Sequence, residues 1–419
     1  MNVPRPAVSA TAERGAPANP VTVEGALERA AACSTQIKAL RAAVTVAIQR
    51  KSAATDIQDP EAVATWGKLD DDLGSPQNSN AYQGVGGRFY VPNPFLVMPR
   101  VSARTAELQA AKADLQAARW LVECNVRRLF AEINYLAEDT ALAVDLLRQY
   151  GEILKDTRAR AEHSAATASD VVTAVQRQLQ TQNDLDLTRH RYQLAQRDLA
   201  ALLDLPPASL QIATNASPSA PLQEAAIAFE PLQRLASECR GDLAALRWRT
   251  LAAKSAYREA LNVRIPWIEH MDATHRDPAN EWWVGVRVTL PVFSWTKNHA
   301  ADALQAQYSL ADVNATNGMQ LVRREIRDAV EEADERQRQQ RRNQSEIAPL
   351  IAEMRQTLEL LKRTPNLMPA QVVTTEAQII ESLRLDLGSR WGYQLALLNL
   401  ERAVGVNLSV ALQAGEGER

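Results

Sequence analysis

A chain of 419 residues with a net charge of −3 and a sequence pI near 6.1 offers no basic surface that would point to nucleic acid. Its three cysteines are too few for a disulfide framework, and no run approaches the roughly 18 apolar residues of a helical membrane span. Only 5% of residues are aromatic, while alanine, leucine, glutamine and arginine fill long stretches, the profile of long helices packed through small side chains.

Residues 1–20 carry Pro4, Pro6, Gly15, Pro17 and Pro20 among small residues and read as disordered. No secretory signal is visible there, and no lipobox cysteine. From Val23 to Ala54, Leu27, Ala30, Ile37, Leu40, Val44 and Ile48 recur mostly at three- and four-residue steps, which predicts a helix ended by Asp59-Pro60. Ala62 to Leu69 is a weak strand candidate. Asp70 to Asn80 is a polar turn region, and Gly84 to Val91 alternates as a strand until Pro92. Arg100 to Ser164 is helical with Gly151 as its only breaker. At 1.5 Å per residue such a helix is about 100 Å long and needs a partner along its length. The helical run Ala166 to Leu205 follows with almost no turn, so it folds back antiparallel on the first.

A Ser/Pro/Ala-rich linker begins at Pro206-Pro207, and then the programme repeats. A helix is expected over Leu232 to Leu261, then strands at Arg264 to Met271 and Trp282 to Leu290 around a turn at Asp277-Pro278-Ala279-Asn280. A long helix follows from Lys297 to Thr364, interrupted at Gly318 and Pro349, and a last one after Pro365 and Pro369 reaches Val404. The repetition is also literal. Cys33 with Ala39-Leu40-Arg41 returns 206 positions on as Cys239 with Ala245-Leu246-Arg247, and Val126-Arg127-Arg128 returns 196 on as Val322-Arg323-Arg324. Gly86-x-Arg88-x-x-x-Pro92 answers Gly285-x-Arg287-x-x-x-Pro291, and Tyr192-Gln193-Leu194-Ala195 answers Tyr393-Gln394-Leu395-Ala396. Solenoid units are far shorter, so this is a duplicated half-molecule. The organisation expected is a disordered segment 1–20, a first repeat 21–205, a linker 206–228, a second repeat 229–405 and a tail 406–419.

The clearest strand places Trp282, Val284, Val286, Val288 and Leu290 on one face and Trp283, Gly285, Arg287 and Thr289 on the other. Four of the eight tryptophans, Trp267, Trp282, Trp283 and Trp295, lie in or beside the second pair of strands, like the interfacial girdles of membrane barrels. Four strands cannot close a barrel, and open edges cannot face lipid, so copies of the chain must close it together. Three copies give twelve strands under cyclic symmetry. The fold class expected is mainly α with a small β part: duplicated long antiparallel helical hairpins forming an α-barrel, plus four strands per chain in a trimeric 12-stranded β-barrel.

Nothing in the chain arranges chemistry. Gly84-Val85-Gly86-Gly87 lacks the Lys and Ser/Thr of a phosphate loop. His163, His190, His270, His275 and His299 lack ligand spacing, and Cys33, Cys124 and Cys239 read as small buried hydrophobes. Arg336 to Arg342 follow acids at i,i+4 and read as a solvated helix face. No nucleophile–base arrangement is found, so no catalytic, cofactor-binding or metal residue is expected, and no enzyme.

The duplication, the strand ending Gly285-Val286-Arg287-Val288-Thr289-Leu290-Pro291-Val292-Phe293 and the two fold-backs together resemble the TolC-type outer membrane efflux proteins over roughly residues 21–406. The resemblance implies a homotrimer that crosses the outer membrane, extends into the periplasm, and passes substrates from a periplasmic adaptor and an inner-membrane pump to the exterior. It places adaptor contacts at Ser164, Ala165, Thr167 and Asp170 of the first fold-back and Pro365, Asn366, Leu367 and Gln371 of the second. Ser164 and Pro365 stand where the family has tip glycines. Gln371 and Thr374 stand where it has an acidic ring, so no such ring is expected. Asp170 and Lys362 fall where the family closes its mouth, and an ion pair between them is the expected gate. The rival reading is a soluble coiled-coil scaffold or a periplasmic adaptor-like protein, the latter needing one hairpin flanked by compact β domains.

Overall fold

The small-residue periodicity condenses into eight helices and four strands in a computed structural model that describes residues 21–56, 58–69, 80–206, 228–277, 281–290, 295–363 and 369–408. In chain order they are α1 (Val23–Cys33), α2 (Thr35–Ala53), β1 (Glu61–Leu69), β2 (Asn80–Tyr90), α3 (Pro94–Glu162) and α4 (Ala168–Leu202). The same order returns as α5 (Phe229–Cys239), α6 (Gly241–Asn262), β3 (Trp267–Asp277), β4 (Glu281–Thr289), α7 (Trp295–Arg363) and α8 (Pro369–Val404). No described helix is long and apolar enough to cross a membrane. The N-terminal segment 1–20, most of the linker and most of the tail lie outside the described residues, as does the turn at 278–280.

Several boundaries differ from those the pattern predicts, each for a local reason. The first helix of each repeat is two helices. Ser34 leaves helical geometry, and its hydroxyl accepts a hydrogen bond from the Ile37 amide to start α2. Arg240, 206 positions on, likewise leaves helical geometry between α5 and α6; its side chain makes no cap and instead forms an ion pair with Asp242. Cys33 and Cys239 are thus helix-ending residues and only half-buried, whereas Cys124 alone is buried, its thiol pushed up to about 12 by burial. The third helix begins at Pro94 and runs through Pro99. Pro99 has no amide to offer the Phe95 carbonyl, and the Asn262 side chain fills that place at 2.7 Å.

Neither Gly318 nor Pro349 interrupts α7. Gly318 is a contact residue: a Cβ there would lie 2.5 Å from Leu246 Cδ1, so the glycine lets α6 approach α7. Beside it the Thr250 hydroxyl donates to the Ala311 carbonyl at 3.2 Å. Strand β3 starts three residues later and runs six further than expected, because Arg264 and Ile265 close the turn after α6.

Two compact units cut across the two repeats. One takes residues 38–118 and 234–324 and contains all four strands, in the antiparallel order β1-β2-β3-β4. Among the described residues, strands β1 and β4 are edges, each paired on one side only. The other takes residues 1–37, 119–233 and 325–419. Its core is mostly alanine, leucine and isoleucine from α3, α4, α7 and α8, including Ile133, Leu185, Leu199, Ile326 and Leu400. Polar rungs join α3 to α8 there: Tyr135 stacks on Trp391 at 5.1 Å, Asp139 binds Arg384 at 2.7 Å, and Gln149 donates to Glu376 at 3.0 Å. Tyr150 donates to Glu381 in the same seam, and burial followed by that bond pushes its hydroxyl up to about 12.

Candidate functional site

The register of the sheet sorts its side chains by chemistry. Opposite residues in an antiparallel pair share a face, and faces alternate along each strand. Starting from Val284, the register runs through Ala273 and Gly87 to Ala62. The neighbouring row runs from Val286 through Met271 to Phe89, and another from Trp282 through His275 and Val85 to Ala64. This face is mainly apolar across all four strands, with His275 in its rows and Gln83 and Asp277 beside Trp66 at one end. Its large side chains are uncovered: Trp66 is 79% exposed, Trp282 71%, Val85 71% and Val284 69%. Val286, Val288 and Leu290 are exposed as well, so every residue of the expected membrane-facing strand is uncovered within the chain.

The opposite face is polar. Arg88 of β2 donates to Asp272 of β3 at 2.7 Å and reaches Glu61 of β1 at 3.5 Å. Thr274 and Arg276 continue that face, with the Arg276 guanidinium 4.5 Å from the centre of the Trp283 ring. His270 is buried on this side against Tyr90, whereas His275 lies opposite Trp282 on the apolar side. The two histidines therefore cannot share a ligand. No group of three or more metal-ligating side chains occurs among the described residues. A soluble sheet with one wet face buries its apolar face. This one leaves it open, and an uncovered apolar surface of this extent marks a binding partner or lipid.

The first fold-back lies in the other unit. Helix α3 ends in a left-handed cap: Ser164 has φ 56°, the Ala165 amide bonds the Arg160 carbonyl at 2.7 Å, and the Ser164 amide bonds the Ala161 carbonyl at 3.0 Å. Thr167 then caps α4. Its hydroxyl accepts from the Asp170 amide at 3.2 Å, while Asp170 Oδ2 accepts from the Thr167 amide at 2.8 Å. These bonds to Thr167 hold the Asp170 carboxyl below its ordinary range. Asp170 and Lys362 are not paired within the chain: Asp170 is engaged by its own cap, and Lys362 binds Glu376 of α8 at 3.0 Å. Gln371 is exposed, and Pro365, Asn366 and Leu367 lie outside the described residues.

A left-handed conformation costs a non-glycine residue roughly 1–2 kcal/mol. Ser164→Gly is therefore expected to stabilise the protein by about 1 kcal/mol, and Ser164→Val to destabilise it. Thermal unfolding of the two variants beside the parent checks both signs. Equal midpoints would show that the tip holds no strain.

No protein-family model and no curated protein matches the sequence. The fold does match solved structures. The outer-membrane channel OprN superposes with a TM-score of 0.72 at 14% identity, over 92% of this chain and 90% of that one. The chain has the fold of the TolC-type outer-membrane channels. The outer membrane protein VceC of Vibrio cholerae shares this TolC-type fold with a TM-score of 0.68 at 19% identity, over 92% of this chain and 96% of that one. CusC, whose structures describe transmembrane channel formation, shares it at 0.67 and 16% identity, covering 97% and 99%. A TolC-type fold has two helical hairpins and one sheet, not the single hairpin between β domains of an adaptor.

Proposed function

We propose that three copies of this chain form a passive outer-membrane exit duct of a tripartite efflux or type I secretion system. The observation that carries this reading is the sheet with an uncovered apolar face, a polar face and two edges unpaired among the described residues. Edge strands exposed to lipid leave backbone groups unsatisfied, and pairing β4 of one copy with β1 of the next removes every edge. Twelve strands then present Trp66, Val85, Val284 and their neighbours to outer-membrane lipid, and Arg88, Asp272 and Arg276 to a wet passage.

The helices support the same closure. On α4, Ala174, Thr181, Leu185, Thr188 and Leu199 are buried, while Val172, Leu179, Leu187 and Leu194 form an exposed stripe on the opposite side. Such a stripe suits a neighbouring copy, as in coiled-coil seams. In this reading the hairpins line the periplasmic part of the passage. The fold-backs, through Ser164, Ala165, Thr167 and Asp170 and through Pro365, Asn366, Leu367 and Gln371, contact the periplasmic adaptor. Energy comes from an inner-membrane pump. The duct binds no nucleic acid, uses no cofactor and catalyses no reaction.

Light scattering of detergent-extracted protein tests the assembly. Chains of 46.2 kDa give about 139 kDa for a trimer. A monomer or dimer that stays dispersed without detergent would refute the duct and favour a coiled-coil scaffold.

A further inference from the structure

At the end of the sheet where β2 leads into α3 and α6 leads into β3, the protein forms a half-open cavity of about 370 Å³. That volume is in the range of small-molecule pockets. Its wall is partly aliphatic, with Leu96, Val97, Val263 and Ile265. Two aromatic rings join it. Trp267 is fixed by donating its indole N–H to the Val91 carbonyl at 3.2 Å and by the edge of Phe95, and Tyr90 packs edge-on to His270. The charged lining groups are Asp56, Glu269 and Arg100.

Arg100 is already neutralised, because its Nε and Nη2 both bind Glu259 at 2.8 Å. Asp56 and Glu269 have no cationic partner among the described residues; the Glu269 carboxylate accepts from the Thr289 hydroxyl at 3.4 Å, while its main-chain carbonyl accepts from the Val91 amide at 3.3 Å. What remains is a concave space whose wall is about half apolar and aromatic and half polar, Gln58 and Asn93 included, with two uncompensated carboxylates. Anions are repelled from such a site. A small inorganic cation gains nothing from the apolar wall. An amphiphilic organic cation uses all of it: Coulomb attraction to the carboxylates, attraction to the ring faces, and burial of its hydrocarbon.

We propose that this cavity binds amphiphilic organic cations. Tyr90 and Thr289 lie on the polar face of the sheet, so in the duct three such sites border the passage and hold cationic cargo transiently on its way out. That role rests on the duct reading; the binding itself does not.

Equilibrium dialysis of the full chain in detergent against tetraphenylphosphonium tests the site, with tetraphenylborate as the size-matched anion. Saturable binding of the cation near one per chain is expected, with none of the anion. The double variant Asp56→Asn, Glu269→Gln is expected to bind at least tenfold more weakly. Both residues are exposed, and bilayer conductance of the same preparation confirms that the variant assembles. Equal binding by parent and variant, or equal binding of the anion, overturns the site. A parent that conducts without binding the cation removes the site and leaves the duct. A parent that binds the cation but forms no channel keeps the site and removes the duct.

Discussion

Gly86→Val is expected to abolish assembly, while Gly87→Val, one residue away, is expected to leave it intact. The two glycines sit side by side on β2, but they meet different surroundings. A Cβ on Gly86 would lie 2.1 Å from the Ala273 carbonyl oxygen and 2.6 Å from Thr274 Cα, both backbone atoms of β3. Neither can move aside without breaking the ladder, so even alanine forces the strands apart. A Cβ on Gly87 meets only the Phe89 ring, at 3.4 Å, and its side of the sheet is the uncovered apolar face. Valine there adds hydrocarbon where lipid is proposed. The β2–β3 ladder is the joint between the two sequence repeats, so Gly86→Val separates two hairpins. Overpacking costs typically 1–3 kcal/mol, and with backbone as the obstacle the upper figure or more is expected. Light scattering reads the result as loss of the assembled species in Gly86→Val and its retention in Gly87→Val. Identical masses and melting curves for both variants would mean that β2 and β3 are not so closely apposed.

The sequence made this joint half visible. Strand β4 announces itself because its apolar positions are all large, Trp282 through Val288, with Leu290 just past its end. Strand β3 does not, because the positions on its apolar side include Ala273 and His275, and the alternation fades after Met271. Strand β1 is similarly faint, yet it adds Trp66 to the apolar face. The fold-backs were legible from the break in helical pattern, and the glycine position of the first now has its cause in the φ of Ser164. Their polar partners were not legible. Glu376 binds Lys362 across the second fold-back, and Arg88 binds Asp272 from 184 residues away. No periodicity encodes such pairs, because each residue is also an ordinary exposed charge on its own element. The cavity beside Trp267 was invisible for the same reason: its lining comes from four separate stretches, 56–58, 90–100, 263–269 and Thr289.

Arg384→Met is the second large effect expected, and it arises in the seam between α3 and α8. Asp139 is only 7% exposed, and its oxygens accept from Arg384 Nε at 2.7 Å, from Arg384 Nη2 at 3.2 Å and from the Thr188 hydroxyl at 3.3 Å. The bond to Asp139 holds the Arg384 guanidinium above its ordinary pKa. Removing the arginine leaves a buried carboxylate with one weak donor, and breaking one side of such a pair costs 3–5 kcal/mol. Arg384 retains some solvent contact, so about 3 kcal/mol is expected, read as a fall of several degrees in the melting temperature of the extracted protein. Asp139→Leu alone strands the guanidinium instead, which has an outlet to water, and is expected to cost less. The double variant Asp139→Leu, Arg384→Met removes both charges, and two apolar side chains of similar bulk then meet between Tyr135 and Leu146. It is expected to recover most of the loss, since a buried pair is rarely better than hydrocarbon of the same volume. The cycle separates two roles for the rung. Recovery by the double variant with unchanged conductance makes the pair a device for register, setting which turn of α8 meets which turn of α3. Losses that simply add would show that the two residues act independently and that the seam is held by its alanines and leucines alone.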